Sequence, residues 1–417
     1  MSPLTADFRV PAGMPVVANL GMGVDSSAYA ARWLTDPASR GFDLDQLTFL
    51  IAAVGEEYGT THRLMEECLF PLIARHRIRT VTVARKGHST AEGYLVLDDT
   101  RTPTRLRTRP ADEAAAAPVT LGERMLQAGT LPQVSRDRRA CSSWIKHFAL
   151  DSWIKDNVGG APFVHVIGYS AEEPERSQTD LLKNRGHRRP DFPLQRWGWG
   201  RQRCEDFLLE TFGRRFVRSC CGFCPFQGTK VGREALVERW AAEPDLALRA
   251  LLIEHSALVH NERALLFGST AAYRVVADAG LNDVLAAHQA QLAAQRWAIY
   301  EVRRIYWPHS QHGPAKKGQA WRSVRAVATG SLSRMTAELP RAAAAHGGTP
   351  VIDRHGITRV PLLTPTAPYP AVEHFLALGP ALAADKQRKE FERGWSQVAG
   401  PARARAGQPR GPIGLAA

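Results

Sequence analysis

The sequence predicts an α/β protein: a parallel, doubly wound sheet at the start of the chain, then a mainly helical C-terminal region and a basic tail of low order. Three observations predict it. Pro15-Val16-Val17-Ala18-Asn19-Leu20 reads as a short buried strand, Gly21 to Ser27 as a turn, and Ala28 to Leu34 as the start of a helix. Further apolar strand runs alternate with helical stretches, an order that argues for parallel strands covered by helices on both faces. Past residue 230 the text turns helical, then rich in Ala, Pro and Gly.

The remaining elements follow in order. A second strand, Leu47 to Val54, runs into Gly55-Glu56-Glu57, an amphipathic helix spans Thr60 to about His76, and a third strand covers Thr80 to Ala84. Residues 87–134 read as an irregular insertion in which only Tyr94-Leu95-Val96-Leu97 is strand-like. Helical periodicity returns from Ser142 to Val158, and Pro162 to Ile167 is another buried strand. The polar stretch Glu172 to Pro190 reads as a mobile loop over a site. A helix from Gln202 to Phe212 leads to a cysteine cluster, and helices are expected over Arg233–Trp240, Pro244–His260 and Leu281 to about Ile305. Gly313 to about Gly330 is basic, with Lys316, Lys317, Arg322 and Arg325 around Trp321, and low order is expected from Arg341 onward. The resulting division is 1–230, 231–310 and 311–417.

A chain of 417 residues suits two or three domains with sizeable cores. No run approaches the roughly 18 apolar residues of a membrane span, and the N-terminus lacks the apolar stretch of a signal peptide, so the expected location is the cytoplasm, away from membranes. A net charge of +13 attracts anions, nucleotides and nucleic acid among them, and part of it sits in the tail at Lys386, Arg388, Lys389, Arg393, Arg403, Arg405 and Arg410. Six cysteines are too few for a disulfide scaffold at this length, and clustered thiols in a cytosolic chain bind metal or react. Cys68, alone in an apolar helical run, reads as core.

The turn Gly21-Met22-Gly23-Val24-Asp25-Ser26-Ser27 has the layout of a phosphate site. Small residues let backbone N–H groups approach phosphate oxygens, and the helix N-terminus adds positive potential. Asp25 and Ser26 stand where they can cap the helix, and the Ser26 and Ser27 hydroxyls can donate to phosphate. This loop resembles the Ser-Gly-Gly-x-Asp-Ser loop of the PP-loop ATP pyrophosphatases, whose adenine-nucleotide α-hydrolase-like fold includes the phosphoadenosine phosphosulfate reductases. Gly23, Asp25 and Ser26 match, whereas Gly21 stands for the Ser and Met22 for the first Gly.

Further segments resemble the family in the same order. Gly55-Glu56-Glu57 looks like its Asp-Thr-Gly-x-Glu segment, with Ala53 in place of the Asp. Arg136 to Lys146 is similar to an Arg-x-Cys-x-x-x-x-Lys segment, and Gly168 to Arg176 to a Gly-Ile-x-x-x-Glu-x-x-Arg segment. The resemblance covers about residues 14–230 and is nearest to the phage and actinobacterial type.

It implies that Gly21, Met22, Gly23, Val24, Asp25, Ser26, Ser27, Glu57, Gly168 and Glu173 contact an adenine nucleotide, ATP with Mg²⁺. Asp25, Lys146 and Arg176 would be catalytic. The two cations would neutralise charge on the α-phosphate and on departing pyrophosphate, and Asp25 or Glu173 would hold the Mg²⁺. Local alternatives stand beside these roles: Lys146 as a solvated helix residue, Arg176 as the partner of Glu172, Glu173 or Glu175, and Glu57 as a helix cap.

Cys221-Gly222-Phe223-Cys224 can turn two thiolates toward one metal ion or act as a redox pair. In the resembling proteins cysteines recur at the places of Cys141, Cys204, Cys221 and Cys224, and the resemblance implies one metal-binding set. Cys220 could replace Cys221. Four thiolates suit Zn²⁺ as well as a [4Fe–4S] cluster, and the family favours the cluster. The function so implied is ATP-dependent adenylation of an acceptor, coupled to sulfur transfer from a donor protein, with DNA or tRNA as acceptor. A sulfonucleotide reductase is the rival in the same class, opposed by the lack of a C-terminal Glu-Cys-Gly-type tail. A non-catalytic nucleic-acid-binding protein with a structural metal is the reading from another class.

Overall fold

The computed structural model describes residues 8–406 apart from 113–114, 133, 136–137, 183 and 229–231. Arg136 and Arg410 therefore lie outside the described residues. The chain forms two compact units, Met1–Leu121 with Gln133–Cys224, and Gly122–Pro132 with Pro225–Ala417. In chain order the strands are β1 Val16–Asn19, β2 Leu47–Ala52, β3 Arg79–Arg85, β4 Tyr94–Thr100, β5 Val134–Ser135, β6 Arg138–Arg139, β7 Phe163–Val166, β8 Arg188–Asp191, β9 Trp297–His309, β10 Gly313–Gly330, β11 Val351–Ile352, β12 Thr358–Leu363, β13 Ala371–Pro380 and β14 Lys386–Gln387.

The first unit carries a mixed sheet in the order β4-β3-β2-β1-β7-β8. All neighbours are parallel except β3 and β4, which are antiparallel. Side-chain alternation explains why both faces must be covered. Val16 and Ala18 of β1 enter one core with Phe49, Ile51, Val164 and helix residues Ala28, Ala31, Ile73 and Leu208. Val17 points the other way, into a core with Leu50, Val81, Val83, Ala149, Trp153 and Ile154. Helices Val24–Thr35 and Arg201–Phe212 thus cover one face and helix Phe148–Val158 the other. Each large apolar side chain buried in this way, such as Phe49 or Trp153, contributes roughly 1.5–3 kcal/mol.

Strands β1, β2 and β3 step outward in one direction and β7 and β8 in the other, so the winding reverses between β1 and β7. Connections leaving two such strands diverge to opposite faces, which opens a crevice at their carboxyl ends.

The expected loop over Glu172–Pro190 is corrected. Helix Pro174–Leu182 and strand β8 occupy it. The helix opens on a proline, a favoured first-turn residue, and Ser177 is its sole fully buried side chain, which left no apolar stripe to read.

The mainly helical C-terminal region and low-order tail are corrected as well. Helices Arg233–Ala242, Pro244–His260, Ala272–Asp278 and Asn282–Ala294 are present, but Trp297 begins a strand. The second unit is built on an antiparallel sheet in the order β11-β12-β13-β9-β10-β14. Central strand β9 is buried on both faces. Ala298, Tyr300 and Val302 meet Leu258 and Val259 of helix Pro244–His260, while Trp297 and Ile299 meet Met335, Leu339 and Ala343 of helix Leu332–Ala345. A strand covered on both sides reads as a continuous apolar run, which periodicity cannot separate from a buried helix. Helix Phe391–Ala406 adds Phe391, Trp395 and Val398 against Ile305 and Val372.

Buried polar ties fix this unit. Glu254 accepts from the amides of Leu266, Ala272 and Tyr273, and Arg359 pairs with Asp353 at 2.7 Å while donating to the carbonyls of Leu258 and Val259. No helix among the described residues is long and apolar enough to cross a membrane.

Candidate nucleotide site

The turn after β1 sits at the reversal of winding. Leu20 keeps the chain in the sheet by donating to the Leu50 carbonyl at 2.9 Å, and Met22 then turns it with φ +60°. That left-handed conformation costs a non-glycine residue about 1 kcal/mol, and it falls where the resembling loop carries glycine. Burial of the Met22 side chain in the core offsets the strain.

Gly23 follows in extended conformation as the N-cap, with no side chain capping the helix, so the Val24, Asp25 and Ser26 amides lack intrahelical acceptors. A side chain at this position would force the Ser219 hydroxyl to move. A Cβ on Gly23 would lie 2.8 Å from Ser219 Oγ, whose hydroxyl donates to the Gly21 carbonyl at 2.8 Å. Gly21 itself is open, since a Cβ there would meet only Ser26 Oγ at 3.7 Å, which agrees with the serine of the resembling loop. Gly168, leaving β7, is also sterically required, because a Cβ would lie 2.9 Å from the Tyr29 ring.

These segments border a cleft of 780 Å³ in the first unit. Gly21, Gly23, Asp25, Ser26, Lys146, Gly168 and Arg176 line it. Met22, Val24 and Ser27 point into the core instead, and Ser27 Oγ donates to Met65 Sδ at 3.9 Å. Three buried polar atoms of cleft residues have no hydrogen-bond partner among the described residues: Asn19 Oδ1, Asp25 Oδ1 and His165 Nε2. Unsatisfied buried groups of this kind cost about 1–3 kcal/mol each, and these three atoms are themselves shielded from the cleft surface.

Burial raises the Asp25 carboxyl to about 6, with Arg201 opposing the shift and Glu173 adding to it. Its Oδ2 pairs with Arg201 at 2.8 Å, leaving Oδ1 as the free acceptor. His165, on β7, accepts from Arg188 Nε at its Nδ1 at 2.7 Å. Burial, with Arg188 and His147 acting in the same direction, lowers it to about 3. The ring is therefore neutral and carries its proton on Nε2. Lys146, in the π-helical turn Ser143–His147, has no carboxylate partner among the described residues.

Two implied contacts are used otherwise. Arg176 lines the cleft but pairs with Glu173 at 2.6 Å and stacks on Tyr169. Glu57 spends both carboxylate oxygens on the Val54 and Glu56 amides at 3.1 Å, capping its own turn, and neither it nor Glu173 lines the cleft.

Of the expected cysteine set, Cys221 and Cys224 lie near each other. Cys204 is fully buried on the core-facing side of its helix. Burial raises its thiol to about 12, with Asp25 adding to the shift. Cys221 bridges Glu57 across the backbone, and burial pushes its thiol well above the ordinary value with Glu57 reinforcing the shift. Cys141 is half-buried. Among the described residues no three His, Cys, Asp or Glu side chains gather where a metal ion could be held.

Sequence reasoning missed Asn19, His165, Arg201 and Ser219. Asn19 and His165 carry a local signal, a lone polar residue within an apolar strand run. Ser219 carries none, being 198 residues from the carbonyl it binds.

On the reading that this turn holds the phosphates of ATP, proposed below, replacing Gly23 with Ala is expected to weaken ATP binding about tenfold by forcing Ser219 off the turn, as measured by isothermal titration calorimetry. Unchanged affinity would show that the close approach is not used. No family model matches the chain, and no curated protein or solved structure similar to it was found.

Proposed function

We propose that the first unit binds MgATP in this cleft and transfers the adenylyl group to an acceptor with release of pyrophosphate. The observation that carries the reading is the loop Gly21–Gly23 with Met22 in the left-handed conformation, leading into the uncapped start of helix Val24–Thr35 and opening on a switch-point cleft that Lys146 also lines. Backbone amides and Lys146 would hold the phosphates. An acceptor oxygen attacks the α-phosphorus, the bond from the α-phosphorus to the bridging oxygen breaks, and pyrophosphate departs with the electron pair while Lys146 neutralises its charge. The acceptor's proton passes to solvent or to the Asp25 carboxylate, whose raised pKa suits a base near neutrality. Displacement of AMP by a sulfur nucleophile would complete a thiolation, with nucleic acid as the acceptor that the +13 charge favours.

A second reading, a nucleotide-binding module without catalysis, is favoured by the ion pairs that already hold Asp25 and Arg176. Pyrophosphate and AMP release from ATP, with bulk tRNA or DNA as acceptor, separates the two. Pyrophosphate formed in step with acceptor modification supports the enzyme. ATP binding without pyrophosphate supports the module, and no ATP binding overturns both.

A further inference from the structure

The second unit contains a row of side chains that its fold does not balance electrostatically. In the register of the antiparallel sheet, Arg304 on β9 stands directly opposite Arg322 on β10 and, on its other side, opposite Glu373 on β13. Like charges directly opposite each other in such a pair are destabilising. The carboxylate of this row is already engaged on the far side of Arg304, because Glu373 Oε2 accepts from both Arg304 and the Tyr306 hydroxyl.

Arg304 is accounted for: it is buried, paired with Glu373, and donates to the His260 carbonyl at the negative end of helix Pro244–His260. Arg322 is not. Half-buried, it has no carboxylate partner among the described residues, and burial beside Arg304 lowers its pKa. Behind it Lys386 is lowered to about 7 by burial, with Arg322 the next cause.

The row floors a cavity of 410 Å³ within this unit. Arg263, Lys317 and one carboxylate, Glu262, stand exposed on its rim, with the Lys317 ammonium 3.7 Å from the centre of the Tyr306 ring, and Ala320 leaves the hollow open beside them. Buried charges are ordinarily paired or hold a ligand, and guanidinium groups bind phosphoryl oxygens two at a time. A concave hollow of this volume falls in the range of small-molecule sites and is unlike a flat surface for a polymer.

We propose that this cavity binds a small phosphorylated ligand, its dianionic phosphoryl group seated on Arg322 and Arg304 and closed over by Arg263 and Lys317. The site lies entirely within the second unit and does not depend on the ATP reading of the first.

The intact protein is titrated calorimetrically with inorganic phosphate and with pyrophosphate at constant ionic strength. Wild type is compared with Arg322→Met, which keeps side-chain length and removes the charge, and with the double variant Arg263→Gln/Lys317→Gln, which alters only exposed rim residues. Each change is expected to weaken phosphate binding about tenfold or more. Arg322→Met is also expected to keep or raise the thermal midpoint without phosphate, because it removes a like-charge contact. If Arg322→Met fails to fold, a structural role for that arginine is indicated and the rim variant decides: its unchanged phosphate titration overturns the proposal, as does the absence of phosphate binding by wild type. Loss of single-stranded DNA binding in the variants, with no phosphate binding by wild type, would make the patch a nucleic-acid surface and also overturn it.

Discussion

Lys146→Ala is expected to lower ATP-dependent pyrophosphate release by about two to three orders of magnitude, the range for removing one group that meets developing charge in a closed site. Lys146 lines the cleft with no carboxylate partner among the described residues, so its charge is available to a ligand. The same position makes the change mild for folding. Lys146 is half-buried, and its neighbour Ile145 is the one anchored in the core. Lys146→Arg should retain part of the activity because it keeps the charge, though not the point geometry of an ammonium. The decisive pattern is a fall in kcat with ATP affinity little changed, which marks a contact made chiefly in the transition state. Equal activity of wild type and Lys146→Ala would remove the residue from the mechanism, and a matched loss of ATP affinity would make it a binding group only.

A steep acid instability of the second unit is the other large effect. Burial lowers His255 to about 4, His260 to about 3 and His288 to about 4, each from an ordinary 6.5, with His288 adding to the shift at His255 and Lys386 to that at His260. For a base whose folded pKa is depressed, the fold favours the neutral form. Its contribution is fully present above about 6.5 and is lost as the pH falls from there toward 4, where the unfolded chain binds protons that the fold refuses. Up to three protons are then taken up on unfolding, a slope approaching about 4 kcal/mol per pH unit. Guanidinium denaturation of the intact chain at pH 7.5, 6.0 and 5.0, followed by far-ultraviolet circular dichroism, measures it. His260→Phe should flatten the slope by about one proton, or about 1.4 kcal/mol per pH unit. A stability independent of pH between 7.5 and 5.0 would show that these rings reach water.

The legible parts of the fold are those whose signal is local. Helix Pro244–His260 was readable to the residue because a proline opens it and an apolar face runs its length. The strand, turn and helix from Val16 to Thr35 were readable because glycine spacing and a short apolar run encode them within 20 residues. Strand β9 was not, since Trp297 to Tyr306 is apolar on both faces and its identity depends on β10 and β13 arriving from downstream.

The candidate site divides in the same way. The glycine-spaced turn after β1 and the helix behind it are legible along the chain, because backbone conformation and helix starts depend on near neighbours, whereas Lys146 and Gly168 are named by resemblance and reach the cleft only through the fold. The tertiary structure sets the left-handed turn at Met22, the hold of Arg201 on Asp25 and the capping of its own loop by Glu57. It also places Arg322 opposite Arg304, with Glu373 on the far side of Arg304. Ion pairs, desolvation and strand register are set by distances across the fold, and such distances leave no trace in the spacing of residues along the chain.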